Sequence, residues 1–444
     1  MALARPPGEE LRSRIESRTA RIAVVGLGQV GLALAEAFAS AGYPVLGFDS
    51  DPDKVRELRT GRSSARQVPP ERVAELLAGG MLDPTRDAYR LKEADAIFLC
   101  VPTPLTEAEG PDLSHVLGAG QAVRDHLRRG QLVVLESSTY PGTTEEVLRP
   151  LLEQSGLRAA QDFFLAYSPD RHDPGVSLRS ARDVPRVVGG VGPASRDLAA
   201  ALYGRVAEGV VTVSGARVAE ASKLLESAYR AVNVGLVNEL KVVFERMGID
   251  VWEVIEAART KPFGFHAFYP GPGLGGGGTP AHPLYLTWAA RKYGVSTRFI
   301  ELAGEVNAAM PAYVVNRVAE ALNAEGKPLR GSRVCVLGVA YKKDVESPHR
   351  SPALAVLDLL GRRGAGVSYN DPYVPTLPGL PHGRPQLTSE ALTGPFLAAQ
   401  DCVVILTDHS VYQFDWVVRH APLVVDTRNA TRGLAAGACR VWKA

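Results

Sequence analysis

Cysteine is scarce in this chain. Four thiols, Cys100, Cys335, Cys402 and Cys439, are scattered over 444 residues. That pattern gives neither a disulfide framework nor a zinc-thiolate spacing. Three of the four lie in or beside apolar strand-like runs, which points to buried, reduced side chains. The nine histidines show no HxxxH or HxH spacing, so no metal site is expected. An excess of charge of one sign is missing as well: 50 basic residues stand against 48 acidic ones, which leaves no electrostatic case for nucleic acid or an anionic membrane as a partner. Nothing approaches the roughly 20 apolar residues of a membrane span. Residues 1–20 are polar and charged without an apolar centre, so they read as a tail and the protein as cytoplasmic.

Glycine and proline are plentiful, and they concentrate in one place. Pro270–Pro283, PGPGLGGGGTPAHP, holds six glycines and four prolines in fourteen residues, too many for the interior of a helix or strand. It is a shaped loop, of the kind that brings backbone close to a ligand. Such a loop is expected to carry a reactive side chain, yet its centre is bare glycine.

Upstream, residues 21–51 give an apolar strand, a glycine turn, a helix and a second strand ending in acid. Gly26, Gly28 and Gly31 form GxGxxG, and Asp49 follows eighteen residues after the third glycine. The first glycines let amides approach a pyrophosphate at a helix N-terminus, and the carboxylate accepts from both ribose hydroxyls. An acid there repels a 2′-phosphate, so NAD is expected rather than NADP. Two further strands end in VPTP and ESSTYPG. Thr103 and Thr139 at those ends either face the cofactor or substrate or satisfy backbone in a local turn.

The middle of the chain is helical. One helix of about 30 residues starts near Val218, with apolar positions on more than one face and Gly248 as its stop. A helix buried on several sides bridges domains or subunits, so a homodimer is expected. From Leu329 onward, strand, glycine turn, helix and strand recur, ending in Asp371. The reading is α/β: two Rossmann-like doubly wound domains joined by a long central helix. Its parts are a tail (1–20), an NAD-binding domain (21–212), a central helical, dimerising region with the glycine loop (213–328), and a nucleotide-binding α/β domain (329–444).

The runs VVGLGQVGLALAEAFASAGYPVLGFD, VPTPL, ESSTYPGTTEEVL, YSPDRHDPG, KLLESAYRAVNVGLVNEL, TKPFGFHAFYPGPGLGG, LGVAYKKDV and ILTDHSVYQFDW occur in this order. Together they resemble the UDP-glucose/GDP-mannose dehydrogenase family. The FYPGPGLGG form is most similar to the branch that oxidises UDP-N-acetylhexosamines at C6. The resemblance implies a nucleotide-diphosphate sugar as the second ligand and, in ordinary family chemistry, two oxidations from alcohol to acid. A loop cysteine there holds the intermediate aldehyde as a thiohemiacetal.

In that branch the loop reads GGHCIPVDP. Here residues 275–283 read GGGGTPAHP, so the nucleophile's place is Gly278 and the aspartate's is His282. The resemblance also implies catalytic roles for Lys223, which matches the oxyanion-stabilising lysine, and for Thr139, which matches the threonine that helps hold a water. The family asparagine falls on Ser227, the glutamate of YSPER on Asp170, and an arginine near the nicotinamide on His349. Each departure shortens a reach or removes a bidentate contact. For the sugar nucleotide it implies Lys342 and Arg428 as cations for a diphosphate, with Tyr269, Gly273 and Gly275 under the hexose.

Three functional readings stand at this point. The first is an NAD-dependent oxidoreductase of a UDP-hexose or UDP-N-acetylhexosamine that moves one hydride or runs a redox-neutral, epimerase-like cycle. The second is an inactive binder of nucleotide sugar or NAD. In the third, acid forms through the aldehyde hydrate without a thiol.

Overall fold

Short runs without a charged side chain become the centre of the first sheet. Ile22–Val25 (β1), Ala96–Leu99 (β4), Leu132–Leu135 (β5) and Phe164–Tyr167 (β6) are buried along their whole length, as strands covered on both faces must be. Val45–Phe48 (β2), Leu82–Thr85 (β3), Arg186–Gly190 (β7) and Val210–Thr212 (β8) complete the order β3-β2-β1-β4-β5-β6-β7-β8. Every neighbour is parallel except β6 and β7. The winding reverses between β1 and β4, which sets a ligand crevice at the carboxyl ends of those two strands. The structure is a computed structural model and describes residues 7–63, 65, 68–171, 184–276, 278, 280–379, 385–435 and 437–444.

The chain divides into two units. The first runs to Glu226 and takes back Leu284–Gly294; the second is Ser227–Pro283 with Val295–Ala444. The division falls inside the long helix, Ala216–Arg246, rather than ahead of it. The physical reason is packing: Ala216 and Ala219 at its start belong to the first unit's core. The helix itself has the expected length, and Gly248 beyond its end has φ +70, the left-handed conformation that stops helices.

The expected tail needs correcting. From Pro7 to Glu16 the chain is a helix, and residues 1–6 lie outside the described ones. Leu11 and Ile15, one turn apart, are buried in the first core with Phe164 and Leu198. The Tyr43 hydroxyl donates to the Ile15 carbonyl at 2.7 Å. The charges between the two apolar residues hid an amphipathic turn.

In the second unit, Arg333–Leu337 (β9), Gly366–Asn370 (β10), Cys402–Ile405 (β13), Leu423–Asp426 (β14) and Arg440–Lys443 (β15) form an all-parallel sheet in the order β10-β9-β13-β14-β15. Thr376–Leu377 (β11) and Leu387–Thr388 (β12) make a small antiparallel pair beside it. This is a second doubly wound plan, with its reversal between β9 and β13. A second long helix, Arg298–Ala324, was not singled out in the sequence, where Pro311 interrupts its pattern. Its later turns bury Val314, Val315, Val318 and Leu322 in the core of this sheet. Among the described residues no helix is long and apolar enough to cross a membrane.

Candidate functional site

The glycine turn of the first unit is a cradle. Gly26 has φ +91, and a Cβ there would lie 2.7 Å from the Cys100 carbonyl oxygen. A Cβ on Gly31 would lie 1.8 Å from the Gly26 carbonyl oxygen, so no side chain fits. At Gly28 a Cβ would meet nothing. Gly28 caps the helix Gln29–Ser40 and has no side chain to bond its first amides. That combination fits a pyrophosphate.

Asp49 is buried at the end of β2. Its carboxylate accepts from the Leu27 amide at 2.8 Å, the Asp51 amide at 3.0 Å and Lys54 Nζ at 2.8 Å. Burial opposes its ionisation, but Lys54 and the two amides outweigh burial and hold the carboxyl below its ordinary range. Asp49 therefore ties the glycine turn to β2, and Lys54, which the sequence reading did not single out, already neutralises it.

The strand ends divide differently from expectation. Thr103 ties neighbouring strand ends together rather than closing a local turn: its hydroxyl donates to the Ser138 carbonyl at 2.8 Å, and its carbonyl accepts from the Tyr285 hydroxyl. Thr139 is fully buried, and its hydroxyl meets no partner among the described residues. The Tyr167 and Ser168 hydroxyls likewise make no well-formed hydrogen bond, although Tyr167 and Thr139 lie close enough to influence each other. A small pool of buried, unsatisfied hydroxyls thus sits beyond the carboxyl ends of β5 and β6, which is unusual for a packed interior.

Glu220, also missed in the sequence, fixes the neighbouring turn. Its carboxylate accepts from the Gly142 and Thr144 amides at 2.6 and 2.8 Å and from the Thr144 hydroxyl at 2.6 Å. Lys223 follows three residues later on the same helix. Asp170, half-buried, sits within electrostatic reach of Cys100, Glu136 and Arg186. Burial, reinforced by Glu136 and Asp170, pushes the Cys100 thiol well up. Burial raises the other three thiols too, and all four are free. None of them has the electropositive surroundings of a nucleophile.

The glycine loop belongs to the second unit and packs on it. The Gly271 amide donates to Asn238 Oδ1 at 2.9 Å, and its carbonyl accepts from Lys241 Nζ at 3.2 Å. Asn238 is held in turn by Asn307. Gly273, at φ +129, lies against the Asn307 carbonyl oxygen and Pro352; Pro311 has no N–H to bond that carbonyl within the helix. At Gly275 a Cβ would meet Tyr341, the Arg350 carbonyl and Pro352 within 3.0 Å. Gly276 presses on the Tyr341 ring, and its amide donates to the His349 carbonyl at 3.1 Å. The His349 side chain is exposed, so in the described structure this residue serves the loop through its backbone.

Gly278 has an imidazole over it. A Cβ at this position would lie 3.0 Å from His282 Cε1 and 3.4 Å from Nδ1. The ring is placed by the Gly278 carbonyl, which accepts the His282 amide at 2.9 Å, and by Ser227, whose Oγ is 3.1 Å from Nδ1. The second unit thus brings Ser227, Gly278 and His282 together. Tyr269 stacks on Trp252, and its hydroxyl donates to Glu256 at 2.6 Å. Arg428 is anchored through Nε to the Leu406 carbonyl, and its guanidinium lies against Gly271.

The segment carrying Lys342 is clamped by a group the sequence reading passed over. Buried His409 accepts the Asp344 amide on Nδ1 at 2.9 Å. That assigns the ring proton to Nε2, which faces Asp371 at 3.1 Å. Asp371 also accepts the Val339 and Ala340 amides, the role Asp49 plays in the first unit.

Comparison with known proteins gives three consecutive matches. The NAD-binding domain of the UDP-glucose/GDP-mannose dehydrogenase family matches residues 20–207, its central domain residues 217–309 and its UDP-binding domain residues 335–433. The UDP-N-acetyl-D-mannosamine dehydrogenase of Pyrococcus horikoshii is 34% identical over 420 residues, covering 92% of this chain and 95% of the relative. A UDP-N-acetyl-D-glucosamine 6-dehydrogenase of Pseudomonas aeruginosa is 35% identical over 356 residues, 80% of this chain and 83% of the relative. The solved structure of a UDP-D-ManNAc dehydrogenase from Pyrococcus horikoshii superposes with a TM-score of 0.85 at 31% identity, covering 95% of this chain and 98% of that one.

Beneath the loop, the two cations Lys241 and Arg428 approach one glycine. Lys241 is 3% exposed, lies over the Tyr313 ring, and has no carboxylate partner among the described residues. Burial, then repulsion from Arg428 and Arg317, lowers its pKa to about 7. An unfolded chain keeps this proton until about pH 10. Between about pH 7 and 10 the unfolded state therefore binds more protons, and stability rises with pH across that window; below it the slope vanishes. Denaturant midpoints measured across this range should show Lys241→Met more stable than wild type at about pH 6, with the gap closing toward pH 10. A gap independent of pH would show that Lys241 is charged throughout.

Proposed function

The chain belongs to the UDP-glucose/GDP-mannose dehydrogenase family, and we propose that within it this protein is an NAD-dependent oxidoreductase of a UDP-hexose or UDP-N-acetylhexosamine that removes one hydride without capturing the aldehyde on a thiol. The observation that carries this reading is the imidazole over Gly278. At the position where the resemblance puts the nucleophile there is no thiol, and a side chain there would press on the ring. Three of the four cysteines are buried, Cys100 is partly so, and burial raises the pKa of all four thiols. Reduction of an oxidised and rearranged intermediate, as in epimerisation, is the redox-neutral form of the same chemistry.

The remaining groups support catalysis more than simple binding. Gly26, Gly28, Gly31 and Asp49 hold NAD, which when bound supplies the hydride acceptor. Lys223 is suited to stabilise an alkoxide, and Lys342 and Arg428 to meet a diphosphate. Intact free thiols suit the cytosol. The long helix leaves Leu225, Leu236 and Val243 exposed, and Phe299 and Leu302 are exposed on Arg298–Ala324. Apolar faces of this kind support a homodimer.

Incubation with NAD and UDP-N-acetyl-D-mannosamine, UDP-N-acetyl-D-glucosamine or UDP-glucose tests the chemistry, with NADH counted against sugar consumed and products weighed by mass spectrometry. The expected result is at most one NADH per sugar, no uronic acid, and no effect of thiol alkylation. Acid made with two NADH per turnover at an ordinary rate, about 1 to 10 per second, would overturn the reading. Light scattering at micromolar concentration should give twice the chain mass; a monomer would reject the dimer.

A further inference from the structure

Ser227 and His282 are distant in sequence and adjacent in space. Ser227 is 8% exposed on the long helix, and His282 opens the helix His282–Arg291. Serine Oγ and histidine Nδ1 are 3.1 Å apart, and the ring occupies the space a side chain at 278 would enter. Both residues depart from the resembled family, where asparagine and aspartate stand. An asparagine does not titrate, and a carboxylate can only accept when ionised. A hydroxyl bonded to an imidazole differs from both, because it passes a proton in either direction near neutral pH.

We propose that Ser227 and His282 form a proton relay that accepts the proton of the sugar alcohol during its oxidation. The proposal rests on the reading of this chain as a hydride-transferring oxidoreductase. The carbinol C–H bond breaks and its electron pair leaves with the hydrogen to the nicotinamide acceptor. The O–H bond breaks, its proton passes to Ser227 Oγ, and the serine's own proton passes to His282 Nδ1. The carbonyl double bond forms, and the imidazolium then returns one proton to solvent. Ser227 touches the reacting hydroxyl, and His282 acts through it as the titrating member.

A relay needs a neutral imidazole before the step, so turnover rises with pH through the titration of His282. With NAD and UDP-N-acetyl-D-glucosamine, His282→Ala should lower kcat about 100-fold or more, the usual scale of a lost general base, with little change in KM. The rise with pH should disappear, and added imidazole should restore part of the rate, since the alanine leaves the ring's volume vacant beside Gly278. Ser227→Ala, which cuts the link to His282, should also slow turnover and lose the rise with pH. Wild-type turnover or an unchanged pH profile in His282→Ala would overturn the relay.

A second readout needs no turnover. In ¹⁵N-histidine NMR of the wild-type protein, His282 should titrate between about pH 5 and 8, and Ser227→Ala should move its midpoint. A His282 that keeps one charge state across that range, or that ignores Ser227, carries no proton and ends the proposal even in a folded, inactive protein. Absence of NADH with every sugar, alongside a coupled, titrating His282, would instead remove the oxidoreductase reading and with it the relay's role, while leaving the coupled pair.

Discussion

The imidazole of His282 stands over Gly278, and a side chain there would have to push against it. The distance of 3.0 Å from the ring to an ideal Cβ at 278 is shorter than carbon contacts tolerate without movement. The ring cannot drift aside freely, because the Gly278 carbonyl holds the His282 amide and Ser227 holds Nδ1. Glycine at 278 and histidine at 282 therefore suit one another. A side chain gained at 278 would make the ring give by a few tenths of an ångström, against its contact to Ser227.

Most of the loop's other glycines answer to packing. Gly271, Gly273, Gly275 and Gly276 each lie against a named group of the second unit: Arg428, Asn307 and Pro352, Tyr341 with the Arg350 carbonyl, and the Tyr341 ring. Buried polar anchors fix the loop's entry, with Asn238 on one side of the Gly271 peptide and Lys241 on the other. These contacts hold the stretch from Gly271 to Gly276 against the second unit. Preorganisation of that kind lets a hydroxyl–imidazole pair act on a substrate atom, since a misplacement of about 1 Å lowers rates steeply.

The sequence revealed the architecture well because period and punctuation agreed. The apolar runs that became β1, β4 and β5 are unbroken, and GxGxxG with Asp49 marks a turn whose glycines are sterically required. It revealed less where a residue's role depends on a distant partner. Lys241, Glu220 and His409 look like ordinary helix and loop residues until the fold brings Gly271, Thr144 and Asp371 to them. The Pro7–Glu16 helix was hidden by its charges, and the Arg298–Ala324 helix by Pro311. Ser227 and His282 were each visible as departures from the resembled motif. That they pair could be learned only from the fold.

The Gly278→Cys variant puts the exclusion of thiol by imidazole to its most direct test. Its NADH yield per UDP-N-acetyl-D-glucosamine and its intact mass after turnover are the quantities to measure. If thiol and ring compete for one space, the cysteine displaces the imidazole: NADH formation falls at least about 10-fold, as expected when a general base is moved, and neither a covalent sugar adduct nor acid appears. A variant that keeps the parent rate and also makes acid with two NADH per sugar would show that the space holds both groups, and would contradict the account.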